Sequence, residues 1–186
     1  MFDSTPVSFS IGALETDQKS VKFDHTCNGS ITITGDRDWV TETVAAGSAA
    51  NPTFTYRFVP EKNTSADART ATITLTSQYN DKLKKVITIK QAGYVFSATP
   101  NSLSLKSGDT GANTITVKST GKWTVATSAT WLTLSSAGGT GDGSFTIKAA
   151  ANTAKDAKDR SADVVITCSD DTSKKITIKV TQAKPE

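Results

Sequence analysis

Histidine, cysteine and methionine are nearly missing from this chain, and the scarcity excludes several classes of function. Among 186 residues there is one histidine, His25, one methionine, Met1, and two cysteines, Cys27 and Cys168. Most metal sites and nucleophile–base pairs need more imidazole and thiol than this. No catalytic residue, no metal and no cofactor is therefore expected. The two cysteines fall at non-equivalent places in the chain, so two thiols are expected rather than a disulfide within one folding unit. No apolar run approaches the ~20 residues that cross a bilayer as a helix. The formal net charge is only +3 and the basic residues are dispersed, which leaves no electrostatic footprint for a nucleic acid. The densest basic clusters, Lys82-Leu-Lys84-Lys85 and Lys174-Lys175, fall where hairpins should turn and read as solvated turns. Acidic pairs such as Asp36/Asp38, Asp156/Asp159 and Asp170/Asp171 lack the ordered oxygen spacing of a calcium loop and also read as turns.

What the chain does contain is a repeat. Arg69-Thr-Ala-Thr-Ile73-Thr-Leu75 returns as Arg160-Ser-Ala-Asp-Val164-Val-Ile166, and Gln91-Ala92 returns as Gln182-Ala183, both at a spacing of 91 residues. Phe54-Thr-Tyr56-Arg-Phe58 meets Phe145-Thr-Ile147-Lys-Ala149 at the same spacing. A register held this long means two copies of one folding unit, with boundaries at 1–93 and 94–186. Each copy is about the size of a small sandwich domain.

Within each copy, short runs of Thr, Val and Ile alternate with polar residues, and no helical period is sustained. Strands are predicted at 21–24, 30–34, 39–44, 53–59, 70–77 and 86–91. In the second copy they fall at 102–106, 114–119, 123–126, 132–135, 144–149, 161–167 and 175–181. About seven short strands per unit, separated by turns such as Ser107-Gly108-Asp109 and Gly138-Gly139-Thr140-Gly141-Asp142-Gly143, predict an all-β chain of two tandem immunoglobulin-like antiparallel β-sandwiches. Side chains alternate faces along a strand. Phe54, Tyr56 and Phe58, Ile73 and Leu75, and Ile87 and Ile89 therefore form the core ladders of the first unit. Phe145 and Ile147, Val164 and Ile166, and Ile178 and Val180 form those of the second. Cys168 continues the Val164/Ile166 face and reads as a small core residue.

The string Trp123-Thr-Val125, Trp131-Leu132, the Gly-rich loop to Gly143, then Asn152, Arg160 and a closing Gln182 resembles the BACON family, the Bacteroidetes-associated carbohydrate-binding domains that are often N-terminal. The resemblance covers essentially all of the second copy. It covers the first from Phe54 onward, with Asn63, Arg69 and Gln91. It implies an immunoglobulin-like sandwich on an exported protein at the cell surface or in the periplasm. The implied partners are glycans or mucin, and further domains of a longer protein. The alternative that some members suggest is a spacer. The opening residues carry neither the charged nor the apolar region of an export signal. The Ser/Thr-rich composition nonetheless favours an exported β module over an intracellular one. A monomer is expected.

Tryptophan is where the copies part. Residues 31–39 align without a gap on 115–123, which sets Trp39 on Trp123. Setting Asp38-Trp39-Val40 on Thr130-Trp131-Leu132 is equally open. Sugar-binding modules stack pyranose rings on exposed aromatics, so the candidate ligand-binding residues are Trp131, Tyr79, Trp39 and Trp123. Trp131 is the best platform, because its parity is opposite to that of Leu132 and Leu134. The competing reading makes it a plug beneath the Gly-rich loop. Trp123 shares parity with Val125 and is expected to point inward. Tyr79 sits at a hairpin tip beside Asn80 and Asp81. Asn63 and Asn152, Arg69 and Arg160, and Gln91 and Gln182 are expected to serve the scaffold by satisfying loop carbonyls.

Overall fold

A computed structural model describes residues 5–24, 31–45, 53–77 and 80–186. The chain divides into two compact units, Met1–Tyr94 and Val95–Glu186. Every regular element among the described residues is a strand. The first unit contains β1 (Val7–Ile11), β2 (Lys19–Asp24), β3 (Ile31–Thr34), β4 (Val40–Ala45), β5 (Thr53–Pro60), β6 (Arg69–Ser77) and β7 (Asn80–Gln91). They form a four-stranded sheet in the order β1-β7-β6-β3 and a three-stranded sheet in the order β2-β5-β4.

The second unit contains β8 (Phe96–Thr99), β9 (Ser102–Leu105), β10 (Asn113–Ser119), β11 (Lys122–Ala126), β12 (Leu132–Leu134), β13 (Gly138–Thr140), β14 (Gly143–Ala149), β15 (Arg160–Cys168) and β16 (Lys175–Gln182). Its sheets run β12-β14-β10-β8 and β13-β11-β15-β16-β9. Both units are immunoglobulin-like β-sandwiches, but neither is purely antiparallel. β1 pairs parallel with β7, and β9 pairs parallel with β16. In the second unit the chain leaves β8 in one sheet and enters β9 in the other, which is how an entering strand comes to lie beside the last one.

The core of each unit is the set of inward positions that alternation selects. In the first, Phe58, Ile73, Leu75, Ile87 and Ile89 are all 0% exposed. In the second, Ile115, Val117, Ile147, Val164, Ile166, Ile178 and Val180 are as well. Burying each such side chain contributes roughly 1.5–3 kcal/mol before the cost of ordering it. Tyr56 joins the first core, and burial pushes its hydroxyl pKa up to about 12. Cys168 is fully buried, opposite Trp123 in the ladder.

Four elements depart from expectation. Residues 80–85 belong to β7 rather than to a turn, so the Lys82–Lys85 cluster lies on a strand. Lys85 shares parity with Ile87 and Ile89 and is only 2% exposed. It stands opposite Leu75 as Ile176 stands opposite Ile166 in the second unit. Lys82 and Lys84 remain exposed. β1 and β8 are not among the predicted strands, although Val7-Ser-Phe9-Ser-Ile11 alternates cleanly, and Gly138–Thr140, read as part of a turn, pairs with β11 as β13.

Register also settles the tryptophan alignment. β3 pairs with β6 as β11 pairs with β15: Ile33 faces Leu75, and Val125 faces Ile166. Ile31 therefore takes the ladder position of Trp123, opposite Ser77 as Trp123 is opposite Cys168. The gapless match of 31–39 to 115–123 is wrong, because residues 115–119 belong to β10, which pairs with β14 in the other sheet. Trp39 corresponds to Trp131.

Candidate binding site

The residues that recur in both copies gather at one end of each sandwich. Gln91 ends β7 and is 1% exposed. Its Oε1 accepts from Arg69 Nε at 2.8 Å, while its Nε2 donates to Glu61 O at 2.9 Å and Ala13 O at 3.0 Å. Gln182 repeats this. Its Oε1 accepts from Arg160 Nε at 3.0 Å and Nη2 at 2.7 Å, and its Nε2 donates to the carbonyls of Lys106 and Ser107, each at 3.2 Å. A primary amide suits the place, since it offers an acceptor on one side and two donors on the other.

Asn63 and Asn152 close the same end. Asn63 Nδ2 donates to Asp67 O at 2.8 Å and Ala92 O at 2.9 Å. Asn152 Nδ2 donates to Lys158 O and Ala183 O, both at 2.9 Å. These loops have no ladder to satisfy their carbonyls, and an unmet buried carbonyl costs about 1–3 kcal/mol. The side-chain amides remove that cost.

Each arginine also lies on a tryptophan. Arg69 Cζ is 4.3 Å from the centre of the Trp39 ring, and Arg160 Cζ is 4.3 Å from that of Trp131. The distance is that of a cation–π contact, worth about 0.5–2 kcal/mol depending on desolvation. Burial lowers the Arg69 pKa, with the Glu61 carboxylate acting in the opposite sense. Arg69 Nη2 donates to Glu61 O at 2.8 Å and Arg160 Nη2 to Ala150 O at 2.6 Å, so both guanidinium groups are fixed.

Trp131 and Trp39 are half-buried beside their cores, each with one ring face beneath its arginine. A sugar cannot stack on that face while the guanidinium holds it. Trp123 is 3% exposed and fills the second core beside Phe145, ring centres 6.1 Å apart. Its ring has no face open to a ligand, so it leaves the candidate set. Trp123, not Trp131, is the plug under the Gly-rich loop: its Nε1 donates to Gly141 O at 3.0 Å. A Cβ on Gly139 would come within 2.6 Å of Trp123 Cζ2, and Gly141 sits at φ 67°, so the loop needs glycine for both contact and turn. Tyr79, His25 and Cys27 lie outside the described residues.

The arginine end of the second unit carries a feature that sequence reasoning missed. A cavity of about 380 Å³ is lined by Ser104, Leu105, Asp159, Arg160, Thr181 and Gln182, among others. Its polar lining comes from strand ends brought together by the parallel β9–β16 pairing, which no local sequence signal announces. Among the described residues there is no group of three or more His, Cys, Asp or Glu side chains that could hold a metal. Nor is there a helix long and apolar enough to cross a membrane.

Fold and cluster together define a tandem β-sandwich module in which each unit closes one of its own ends with the same Trp–Arg–Gln clamp. The BACON family model, described as "Putative binding domain, N-terminal", matches residues 29–92 and again 121–183. The chain belongs to the BACON family, twice over. No curated protein matches it. Among solved structures it is similar to a Bacteroides ovatus GH5 xyloglucanase in complex with a XXXG heptasaccharide, at 23% identity and TM-score 0.44 over 50% of this chain. It spans 19% of that enzyme's length. It is also similar to the D00-D0 domain of intimin, at 13% identity and TM-score 0.42, covering 93% of this chain and 95% of that one. The cadherin domains 1–4 of protocadherin gamma B7 match at 8% identity and TM-score 0.46, covering 97% and 49%.

Proposed function

We propose that the chain is a non-catalytic carbohydrate-binding module of an exported bacterial protein, recognising glycan or mucin chains at the cell surface or in the periplasm. The observation that carries this reading is the arginine end of the second unit. There a fixed guanidinium lies on the half-buried Trp131, and the strand ends that carry Arg160 and Gln182 also line a cavity rimmed by hydroxyl-bearing residues. Hydroxyl-rich ligands are held by such planar polar groups and side-chain oxygens, and none of these contacts needs a metal. Family membership in a class of binding domains supports the same reading. A second reading, a spacer that holds other domains off the cell surface, is favoured by one observation. The Trp–Arg–Gln lock is complete in both units, as a purely structural device would be.

Array screening of the purified chain against mucin O-glycans and plant polysaccharides, followed by calorimetry, separates the two. Weak binding, diminished by Trp131→Ala, is the expected result. Silence at millimolar ligand leaves only the spacer.

A further inference from the structure

On the outward side of the first unit's four-stranded sheet, lysine is the one charged residue among the positions paired across strands. Ala71, Ile73 and Leu75 are buried, so Thr70, Thr72, Thr74 and Thr76 of β6 point away from the core. Ile87 and Ile89 are buried in the same way, which turns Lys84, Val86, Thr88 and Lys90 of β7 outward. The register sets Ser8 and Ser10 of β1 beside Thr88 and Lys90, and Thr32 and Thr34 of β3 beside Thr76 and Thr74. All of these residues are at least partly exposed, and none is acidic. Lys84 and Lys90 form no ion pair among the described residues. Asp36 meets this sheet through its carbonyl, which accepts from the Thr72 N–H at 3.0 Å on the β3 side, so β6 stands between that contact and β7.

Lysine on an edge strand deters pairing with another chain, but β7 lies inside the sheet order and needs no such protection. The two lysines are six residues apart, about 20 Å along the strand, with hydroxyl side chains between and beside them. The face holds no aromatic ring, so a ligand there is held by charge and hydrogen bonds. A terminal acidic sugar brings one charge and meets one lysine. A chain that repeats its charge meets both, while its ring hydroxyls meet the threonines and serines between. Densely sulfated chains call for clustered cations, whereas two separated lysines suit the sparser carboxylates of uronic acid units. We propose that this face binds a polyuronate laid along β7, a second contact surface whose assignment rests on the carbohydrate-binding reading above.

The second unit supplies a built-in comparison. Three residues after the clamp arginine it carries Asp163 where the first carries Thr72. Asp163 is exposed and stands directly opposite Lys179. One residue before the clamp glutamine it carries Thr181 where the first carries Lys90. A carboxylate there offsets its neighbouring lysine and repels an anionic chain, so the second unit does not bind the same ligand. These differences also choose the test. Thr72→Asp and Lys90→Thr each install a residue that the second unit already folds with at that position.

The full chain and both variants would be titrated by calorimetry with oligogalacturonides, with uncharged galacto-oligosaccharides and with heparin oligosaccharides, at low and at raised salt. The expected result is oligogalacturonide binding by the unaltered chain, loosened by salt and about fivefold weaker in each variant, while circular dichroism stays unchanged. Oligogalacturonide binding that survives both substitutions overturns the face. Binding confined to the sulfated chain overturns the ligand class. Binding of uncharged glycans alone overturns the polyuronate but keeps the carbohydrate reading. Failure of every glycan to bind the unaltered chain overturns the carbohydrate reading itself.

Discussion

Trp123 and Trp131 show how little a residue type says about its duty. One is sealed against Phe145 and roofed by glycines, and the other lies half-buried beneath a guanidinium. The roof leaves no room: a methyl group at residue 139 must push into the indole ring at 2.6 Å. Gly139→Ala should therefore destabilise the second unit by about 1–3 kcal/mol, the usual cost of overpacking. Urea unfolding followed by tryptophan emission would show the lower midpoint, and an unchanged midpoint would mean that the loop yields freely. Parity had marked Trp123 as inward-facing. That it would take the plug position which the competing reading gave to Trp131 was not legible, because Gly139 comes opposite it only through the β11–β13 pairing.

At the scale of elements, the Gly-rich connection between β13 and β14 is tied to the end of β10 by one carboxylate. Asp142 Oδ2 pairs with Lys118 Nζ at 2.7 Å, and Oδ1 accepts from the Ser119 N–H at 3.0 Å. The lysine hydrogen bond, then the backbone one, holds the Asp142 pKa below the ordinary aspartate value. A carboxyl whose pKa is depressed by folding stabilises the folded state above its unfolded pKa, about 3.9, and loses that contribution as pH falls through the folded value. Thermal melts of the chain and of Asp142→Asn should thus differ at neutral pH and converge below about pH 4. A gap that persists unchanged in acid would show that charge is not what ties the loop. The same scale explains the misread lysine cluster. The cluster Lys82–Lys85 reads as a solvated turn, yet the ladder with β6 continues to Asn80 and Lys85 occupies an inward position.

For the whole molecule, the two hydrophobic clusters are separate in sequence, one confined to residues 11–89 and the other to 105–180. Ile166 is fully buried in the second. Ile166→Ala should cost the second unit about 2–5 kcal/mol. Hydrogen exchange should lose protection in β10–β16 while β1–β7 keep theirs, and equal loss in both sets would show that the two cores unfold as one.

The sequence by itself determined the two units, their β class, the inward positions of their main strands and the residues that recur. These follow from local alternation and from a spacing of 91 residues that any single chain displays. Only the tertiary structure decided the parallel pairing of β1 with β7 and of β9 with β16, the match of Trp39 to Trp131, and the arginine-lined cavity beside Gln182. Each of these joins strands far apart in the chain. The free energy that selects them comes from burial and from satisfying carbonyls across that distance, and no short window of residues contains both partners.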